Sequence, residues 1–328
     1  MHDAVTVGGA AYDLFINTDR KSTEFLKARH PGEKTEHIAY PTGAKVLIES
    51  AAFDVGGGAT NTATCLSRLG LKTGSIFNVG NDLYGEKILE CMRKEKVDFL
   101  GKVTNEKTDF SIILDSKGHD RTILAYKGAS CSLKLNQIKK EPSKWLYIST
   151  LTGDSYETAV RLAAGYRKKG TKIAFNPSTY LAKKGHKYLG RLIHNIDMLV
   201  LNKEEAMLLT EEKGIPRMLH TLEGWGPDTT IITDGPKGAY ACCGGTVYKA
   251  HPHRNARIVE ATGAGDAFAS SAVAGMITKE DLMFALQLGI CNAESVISHF
   301  GAHNKLLTWK EAIRSIRQNP AKITKIKR

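Results

Sequence analysis

The chain has 328 residues, of which 42% are hydrophobic and 24% are charged, as expected for a globular protein with an ample core. Its formal net charge is +12, but the basic residues are scattered and no nucleic-acid-binding motif accompanies them. We therefore expect no nucleic-acid partner and interpret the charge as suited to anionic substrates. We also expect no membrane partner, because no apolar run approaches the roughly 18 residues of a membrane span and the N-terminus lacks the basic region of a signal peptide.

Cysteine usage points to a reducing compartment. The six cysteines, at positions 65, 91, 131, 242, 243 and 291, show no Cys-x-x-Cys spacing. We expect reduced thiols in a cytoplasmic protein, rather than a metal site or a disulfide framework.

The first third of the chain predicts a strand and two hairpins. A short apolar run at residues 4–7 predicts a buried strand, followed by a loop that carries Asp13. Residues 37–40 and 45–49 flank Pro41-Thr42-Gly43, and residues 110–114 and 121–126 flank Ser116-Lys117-Gly118. Because both hairpins interrupt a strand–helix pattern, we expect a small sheet set against the main body, over about residues 14–50 and 108–127.

The rest of the chain alternates between helices and strands. A helix follows the glycines at 56–58 and ends at Gly70, and strands are predicted at 76–79, 145–149, 172–175, 198–201 and 229–233. This alternation predicts a mostly parallel sheet with helices on both faces. Ligands of such sheets bind beyond the carboxyl ends of the strands. Four polar residues fall at or near those ends: Asp13, Asn176, Asn202 and Thr233.

A glycine-rich segment, Thr262-Gly263-Ala264-Gly265-Asp266, precedes a predicted buried helix at residues 267–276. The free amides and the dipole at a helix start attract an anion, and the glycines allow its close approach. A carboxylate in this place would repel a phosphate, unless Asp266 takes a proton from a hydroxyl while the amides hold a phosphate in transfer. The alternative is an ordinary turn in which Asp266 is the N-cap of the helix.

Five motifs occur in order along the chain. They are Gly56-Gly57-Gly58-Ala59-Thr60-Asn61, Val79-Gly80-Asn81-Asp82-Leu83-Tyr84-Gly85, Asn202-x-x-Glu205, Thr233-Asp234-Gly235-Pro236-Lys237-Gly238 and Thr262-Gly263-Ala264-Gly265-Asp266-Ala267-Phe268. Together they resemble the ribokinase family of carbohydrate kinases, also called the PfkB family, over nearly the whole chain. The resemblance implies one ribokinase-like α/β domain over residues 1–328, a three-layer αβα sandwich in which the small sheet forms a lid. It also implies transfer of the γ-phosphate of ATP to an alcohol group of a sugar.

The resemblance also implies roles for individual residues. Asp266 would be the catalytic base, and the amides of Gly263, Ala264 and Gly265 would stabilise charge on the transferred group. Glu205, together with Asn202, would hold Mg²⁺ through water; the alternative for Glu205 is a carboxylate that favours the helix dipole. The remaining assignments are Asp13, Gly57 and Asn61 for the acceptor hydroxyls, and Asn202, Thr233, Gly235, Gly238 and Asn292 for ATP. Asn292 and Ser295 could instead be polar residues that pack between helices.

The sequence departs from the family pattern in places that concern the acceptor and the ions. Glu260 stands where the family has an aspartate that helps to hold a monovalent cation, which leaves K⁺ activation open. Gly58 stands where ribokinases tend to place a lysine, and a pocket enlarged in this way could admit a hexose or a nucleoside. A nucleoside kinase of the adenosine kinase type is therefore the alternative, and a sugar-phosphate kinase comes third. A non-catalytic sugar or nucleotide sensor is a hypothesis of a different class. The resemblance further suggests a homodimer formed through the lid.

Overall fold

The computed structural model describes residues 1–18, 24–27, 36–115, 121–253, 262–299 and 301–326. The strands in these ranges are β1 (His2–Val7), β2 (Ala11–Thr18), β3 (Glu24–Lys27), β4 (Glu36–Ala39), β5 (Ile48–Gly56), β6 (Thr73–Ile76), β7 (Asn78–Gly80), β8 (Asp98–Phe99), β9 (Lys102–Thr104), β10 (Asp109–Asp115), β11 (Arg121–Tyr126), β12 (Ser143–Ile148), β13 (Lys172–Phe175), β14 (Met198–Asn202), β15 (Thr229–Thr233), β16 (Ala239–Cys243), β17 (Thr246–Ala250) and β18 (Ile323–Ile326). The helices are α1 (Gly58–Arg68), α2 (Leu83–Lys94), α3 (Asp154–Arg167), α4 (Thr179–Ala182), α5 (Gly185–Ile193), α6 (Lys203–Thr210), α7 (Ile215–Glu223), α8 (Ala264–Lys279), α9 (Leu282–Ile297) and α10 (Trp309–Gln318).

The main sheet has ten strands in the described ranges, in the order β18-β17-β16-β15-β14-β13-β12-β1-β6-β8. The seven strands β15, β14, β13, β12, β1, β6 and β8, in this spatial order, are parallel to their neighbours. Strands β16, β17 and β18 add antiparallel pairs at one edge. The parallel strands are buried on both faces because helices cover both sides, which is why they occur as continuous apolar runs in the sequence. The prediction of a mostly parallel sheet is confirmed.

Helices form a layer on each face of this sheet. Leu146 and Ile148 of β12 pack in one core with residues of α3, α5, α6 and α7. Tyr147 of the same strand points to the opposite face, where it packs in a second core with residues of α8 and α9. Helices α1 and α10 contribute to a neighbouring cluster on that side. The predicted three-layer arrangement is thus present, and α8 runs along the face where its small residues allow close contact with α9.

A four-stranded sheet, which we call the small sheet, lies apart from the main sheet in the order β11-β10-β2-β5. Its β10–β11 hairpin has six residue pairs, from Phe110 opposite Tyr126 to Asp115 opposite Arg121, so the second predicted hairpin is confirmed. The turn itself, residues 116–120, lies outside the described residues. Asp13 lies within β2 and not in a loop, opposite Asp54 and Ser111 of the flanking strands.

The first predicted hairpin is wrong. Strand β4 pairs with β3, whereas the residues after the turn enter β5, which pairs with β2 along its length. Pro41-Thr42-Gly43 does form a turn, in which the amide of Ala44 donates to the carbonyl of Pro41 at 3.2 Å. The predicted turn is therefore present, but the strand after it pairs with β2 and not with β4. The residues of a turn do not specify a pairing partner that lies far away in the chain.

The carboxyl ends of the parallel strands meet at one edge of the main sheet. Asn202 and Thr233 are the last residues of β14 and β15, and Asn176 follows β13 directly. The small sheet is joined to the body at this same edge, because β1 leads into β2 and β5 leads into α1. None of the helices within the described ranges is both long and apolar enough to cross a membrane.

Candidate active site

Two cavities meet at the start of α8. The helix-side cavity, about 940 Å³, lies between the turn after β15, the segment after β17, and helices α8 and α9. The sheet-side cavity, about 680 Å³, lies between the small sheet and the residues that follow β12 and β13. Thr233 and Gly265 line both cavities, so ligands in the two cavities would come together at these residues.

The start of α8 is built to leave space for a ligand. Gly263 is the N-cap and has a φ of 78°, and a Cβ there would lie 2.5 Å from the Cβ of Ala302. A Cβ on Gly265 would meet no atom within 4 Å. The lack of a side chain at Gly265 therefore leaves room in the cavities and is not required by packing within the protein. Amides in the first turn of a helix have no partner within the helix, which makes this helix start suited to an anion.

Asp266 occupies the third position of α8, and its carboxylate is oriented by a neighbouring helix. The Nδ2 atom of Asn61, on α1, donates to Oδ2 of Asp266 at 2.8 Å. Burial raises the pKa of Asp266 to about 6, although the hydrogen bond from Asn61 acts in the opposite direction. Because the N-cap is Gly263, the interpretation of Asp266 as an N-cap is wrong.

Asn202 and Glu205 form a capping box at the start of α6. The amide of Glu205 donates to Oδ1 of Asn202 at 2.8 Å, and the amide of Asn202 donates to Oε2 of Glu205 at 3.0 Å. Both residues also line the sheet-side cavity, so capping does not remove them from the site. Burial raises the pKa of Glu205 to about 7, with hydrogen bonds from Asn202 and Thr179 acting against it and the charge of Asp266 adding to it.

The turn after β15 forms one wall of the helix-side cavity. Thr233, Gly235 and Gly238 all line this cavity. Gly238 has a φ of 91°, and a Cβ there would lie 2.1 Å from the carbonyl oxygen of Ala250, so the turn can pass β17 only with glycine at this position. Apolar side chains of α8 and α9, including Phe268 and Ile290, form the opposite wall.

The residues predicted to bind the acceptor lie around the junction of the small sheet and the body. Gly57 lines the sheet-side cavity and has a φ of 103°. A Cβ on Gly57 would lie 2.5 Å from the carbonyl oxygen of Gly9, so the two connections of the small sheet pass each other closely here. Asn61 is not part of the cavity wall, but its side chain donates a hydrogen bond to Asp266, which is. Asp13 is 8% exposed, outside the cavity wall, and packs against the backbone of Gly56.

Comparison with known proteins assigns the chain to a family. Residues 28–309 match the pfkB family carbohydrate kinase domain. A candidate sugar kinase of Pyrococcus horikoshii is 31% identical over 241 residues, which cover 69% of this chain and 74% of that protein. The chain belongs to the pfkB family of carbohydrate kinases.

Other pfkB kinases extend the similarity. The 5-dehydro-2-deoxygluconokinase of Bacillus subtilis is 25% identical over 276 residues, which cover 78% of this chain and 85% of that enzyme. The crystal structure of adenosine kinase from Sinorhizobium meliloti superposes with a TM-score of 0.81 at 21% identity, over 96% of this chain and 99% of that one. The predicted family and the ribokinase-like fold are therefore confirmed, and the protein is a kinase.

Asn292 does not reach either cavity, so its predicted contact with ATP is wrong for this structure. Its side chain is fully buried between helices. Its Nδ2 atom donates to Oγ of Ser271 at 2.8 Å, and its Oδ1 atom accepts from the amide of Leu307 at 3.0 Å. Ser295 likewise donates to the carbonyl of Lys305. The alternative of polar helix packing is the one that the structure supports, because hydrogen bonds within the protein occupy both ends of the Asn292 amide.

Asn176, which the sequence places at a strand end where ligands bind, lines the sheet-side cavity after β13. Three further residues of this wall are not indicated as site residues by the sequence analysis: Lys127, Ser178 and Tyr180. Ser178 and Tyr180 follow Asn176 closely in the chain. Lys127 has a weak signal in the sequence, because it continues the two-residue spacing of Ile123 and Ala125, which line the same cavity. Glu260, which bears on the K⁺ question, lies outside the described residues.

Proposed function

We propose that the protein transfers the γ-phosphate of ATP to an alcohol group of a sugar, with Asp266 as the general base. One observation carries this proposal. The carboxylate of Asp266, oriented by Asn61, lines the sheet-side cavity at the start of α8, directly after Gly265, which lines both cavities. A donor in the helix-side cavity and an acceptor in the sheet-side cavity would face each other at this carboxylate.

The proposed reaction is a direct transfer. The acceptor hydroxyl gives its proton to the carboxylate of Asp266 while its oxygen forms a bond to the γ-phosphorus. The bond between that phosphorus and the oxygen bridging to the β-phosphate breaks, and ADP leaves with the bridging electrons. A pKa raised to about 6 suits this role, because the group is ionised at neutral pH and still a stronger base than an ordinary aspartate.

The start of α8 would stabilise the charge on the transferred group. The amides of Gly263, Ala264 and Gly265 and the helix dipole present partial positive charge at the junction of the cavities. Gly265 supports this role, since its missing side chain leaves the backbone open to both cavities.

Glu205 and Asn202 fit a hydrated Mg²⁺ ion. Among the described residues no group of three or more His, Cys, Asp or Glu side chains could hold a metal alone. A buried carboxylate in a cavity wall, with its pKa raised to about 7 and an amide beside it, suits an ion that keeps several waters and shares phosphate oxygens. When bound, Mg²⁺ would neutralise charge on the phosphates, and Glu205 would orient its waters.

Thr233, Gly235 and Gly238 are proposed to border the nucleoside part of ATP. The turn that they form leaves the backbone exposed, and the apolar side chains of Phe268 and Ile290 across the cavity could contact a planar base. We leave Asn292 out of this site because its amide is used within the protein.

Asp13, Gly57 and Asn61 are proposed to position the acceptor, and the small sheet is proposed to act as a lid. Ile123 and Ala125 of β11 face the sheet-side cavity, so movement of the small sheet toward the body would close it. Closure matters because water could otherwise accept the phosphate. Asp13 lies outside the cavity wall, and we propose that closure brings it to the acceptor.

The outer face of the lid supports a homodimer. Phe53, Leu14, Ile112 and Leu124 form one row across its four strands, on the face opposite Ile123 and Ala125. Phe53 is 57% exposed and Leu124 is 53% exposed. A row of exposed apolar side chains on a sheet is suited to a partner surface, and we propose a second copy of this chain.

We propose a cytoplasmic location, where ATP is available. All six cysteines of the chain are free thiols, which fits a reducing compartment.

A nucleoside is the second candidate acceptor. Tyr180 lines the sheet-side cavity with 63% of its surface exposed, and its ring could stack on a base. The structural similarity to an adenosine kinase shows the fold only.

The experiment is an acceptor panel. Purified protein with ATP and Mg²⁺ is incubated with single sugars, sugar acids and nucleosides, and ADP release and phosphorylated product are measured. We expect acceptor-dependent ADP release with one phosphorylated product per ADP. Absence of any product across the panel, with ATP bound, would contradict the proposal and favour a sensor.

A further inference from the structure

The wall of the sheet-side cavity carries charges of both signs. Among the described residues, Lys127 is the one basic side chain in its wall, and the acidic ones are Asp266 and Glu205. The other side chains of the wall are hydroxyls, the amides of Asn176 and Asn202, and apolar groups. This asymmetry bears on which end of an acceptor can carry charge.

Lys127 lies at the end of the lid where it joins the body. Ile123, Ala125 and Lys127 follow each other at two-residue spacing on the cavity side of β11 and its extension. The Nζ atom of Lys127 lies 3.5 Å from Oδ2 of Asp109, and this same oxygen lies 4.0 Å from where a Cβ of Gly9 would be. The carboxylate that the ammonium group contacts therefore lies beside Gly9 and Ser130, which both line this cavity.

Asp109 contacts this ammonium group but does not use all three of its N–H donors. Its carboxylate is fully buried and accepts from the amides of Gly128 at 2.9 Å and Ser130 at 3.1 Å, and also from the Ser130 hydroxyl. With three donors already in place, the contact to Lys127 is long, and the Lys127 side chain stays 43% exposed. An ammonium group has three donors, so it can still bind a ligand.

Position 58 does not supply a second cation, because it is a glycine with little room for a side chain. A Cβ at position 58 would lie 2.6 Å from Oγ of Ser149, so a longer side chain requires a shift of the neighbouring strand end. One lysine, shared with Asp109, matches a ligand group with a single negative charge. A phosphate monoester carries a charge of about −1.5 to −2 at neutral pH, which one shared lysine would balance less well.

We infer that the acceptor is a sugar acid, whose carboxylate binds Lys127 while the hydroxyl to be phosphorylated lies at Asp266. This inference rests on the proposed kinase function and narrows its substrate class. Lys127 is then a specificity-determining residue: it binds the end of the acceptor that does not react, and it sets which hydroxyl reaches Asp266.

The test compares matched acceptors on Lys127 variants. Aldonic and keto-deoxy aldonic acids of five and six carbons are assayed beside the corresponding alditols and neutral sugars, nucleosides and sugar phosphates. We measure the ratio of kcat/KM for each acid to that for its neutral counterpart, because this ratio does not depend on the fraction of folded enzyme. The proteins are wild type, Lys127→Gln, Lys127→Arg and, as a control, Lys140→Gln, an exposed lysine outside both cavities.

We expect an acid to be the best acceptor, and Lys127→Gln to lower its ratio by about tenfold to a hundredfold, the scale of a hydrogen bond to a charged group. Lys127→Arg should retain most of the ratio, and Lys140→Gln should not change it. A neutral sugar, a nucleoside or a sugar phosphate as best acceptor would overturn the inference but leave the kinase proposal intact. An unchanged ratio in Lys127→Gln would also overturn it. If no acceptor is phosphorylated, the proposed function itself fails.

Discussion

At the scale of single residues, the site combines two carboxyl groups that burial makes harder to ionise. The pKa of Asp266 is raised to about 6 and that of Glu205 to about 7. A carboxyl whose folded pKa is raised holds its proton in the folded state at a pH where the unfolded chain has lost it. The ionised group then costs stability as the pH rises from about 4 toward 7. Ionisation of these two carboxyl groups in the folded state therefore lowers the stability of the protein.

This cost predicts the effect of Asp266→Asn on stability. Above pH 7 the variant should be more stable than wild type, by on the order of 1–3 kcal/mol, because an amide carries no charge to bury. Below about pH 4 both forms are neutral and the difference should vanish. Urea unfolding without ligands, at pH 4 and pH 8, measures it. Equal stability differences at the two pH values would show that burial of charge at Asp266 is not the cause.

At the scale of elements, two glycines shape the start of α8, where we propose that the transferred phosphate binds. Gly263 permits a left-handed N-cap against Ala302, whereas Gly265 meets no protein atom where a Cβ would be. The two glycines therefore serve different purposes: Gly263 allows the helix to begin close to the loop, and Gly265 leaves the backbone open to ligands. A substitution at Gly265 can therefore test access of ligands to the backbone without disturbing the start of the helix at Gly263.

Gly265→Ala should reduce activity without reducing stability. Alanine is favoured over glycine within a helix by about 1 kcal/mol, and no atom clashes with it, but its methyl group would enter both cavities. We expect a loss of kcat/KM of about tenfold or more, with an unchanged or higher melting temperature. Gly165→Ala is the matched control, since Gly165 is an exposed glycine of α3 that also has open space. Full activity in Gly265→Ala would contradict the role given to this backbone.

Elements also differ in how far the sequence predicts them. The alternating strands and helices after residue 145 were predictable because each parallel strand is a short apolar run followed by an amphipathic helix. Strand β5 was not, since its partner β2 lies thirty or more residues earlier and the turn at residues 41–43 suggested a nearer one. Asn292 was not predictable either: a polar residue on a helix can face a ligand or a buried neighbour, and only packing decides between them.

At the scale of the whole molecule, the small sheet has two different faces. Its inner face carries Ile123, Ala125 and, at its base, Lys127 toward the cavity, whereas its outer face carries an apolar row in which Phe53 and Leu124 are exposed. If a second copy covers that row, dimerisation and acceptor binding would involve opposite faces of one sheet. The sequence predicted a small sheet here, but the assignment of residues to its faces required the observed register.

The dimer proposal predicts a change in mass. Phe53→Asp combined with Leu124→Asp should convert a dimer to a monomer, because two buried charges without partners are costly at an apolar interface. Light scattering coupled to size-exclusion chromatography measures the mass. Lys140→Asp is a suitable control, because Lys140 is exposed and lies outside the small sheet. A wild-type protein that is monomeric at micromolar concentration would contradict the proposal.

The most direct test of the account as a whole is the effect of Asp266→Asn on phosphoryl transfer and on ATP binding, measured together on one preparation. With the best acceptor from the panel, single-turnover transfer should fall by about 10²–10⁴-fold, the scale of a general base, while the dissociation constant for ATP changes by no more than a few-fold. Transfer within tenfold of wild type would contradict the assignment of Asp266 as the base.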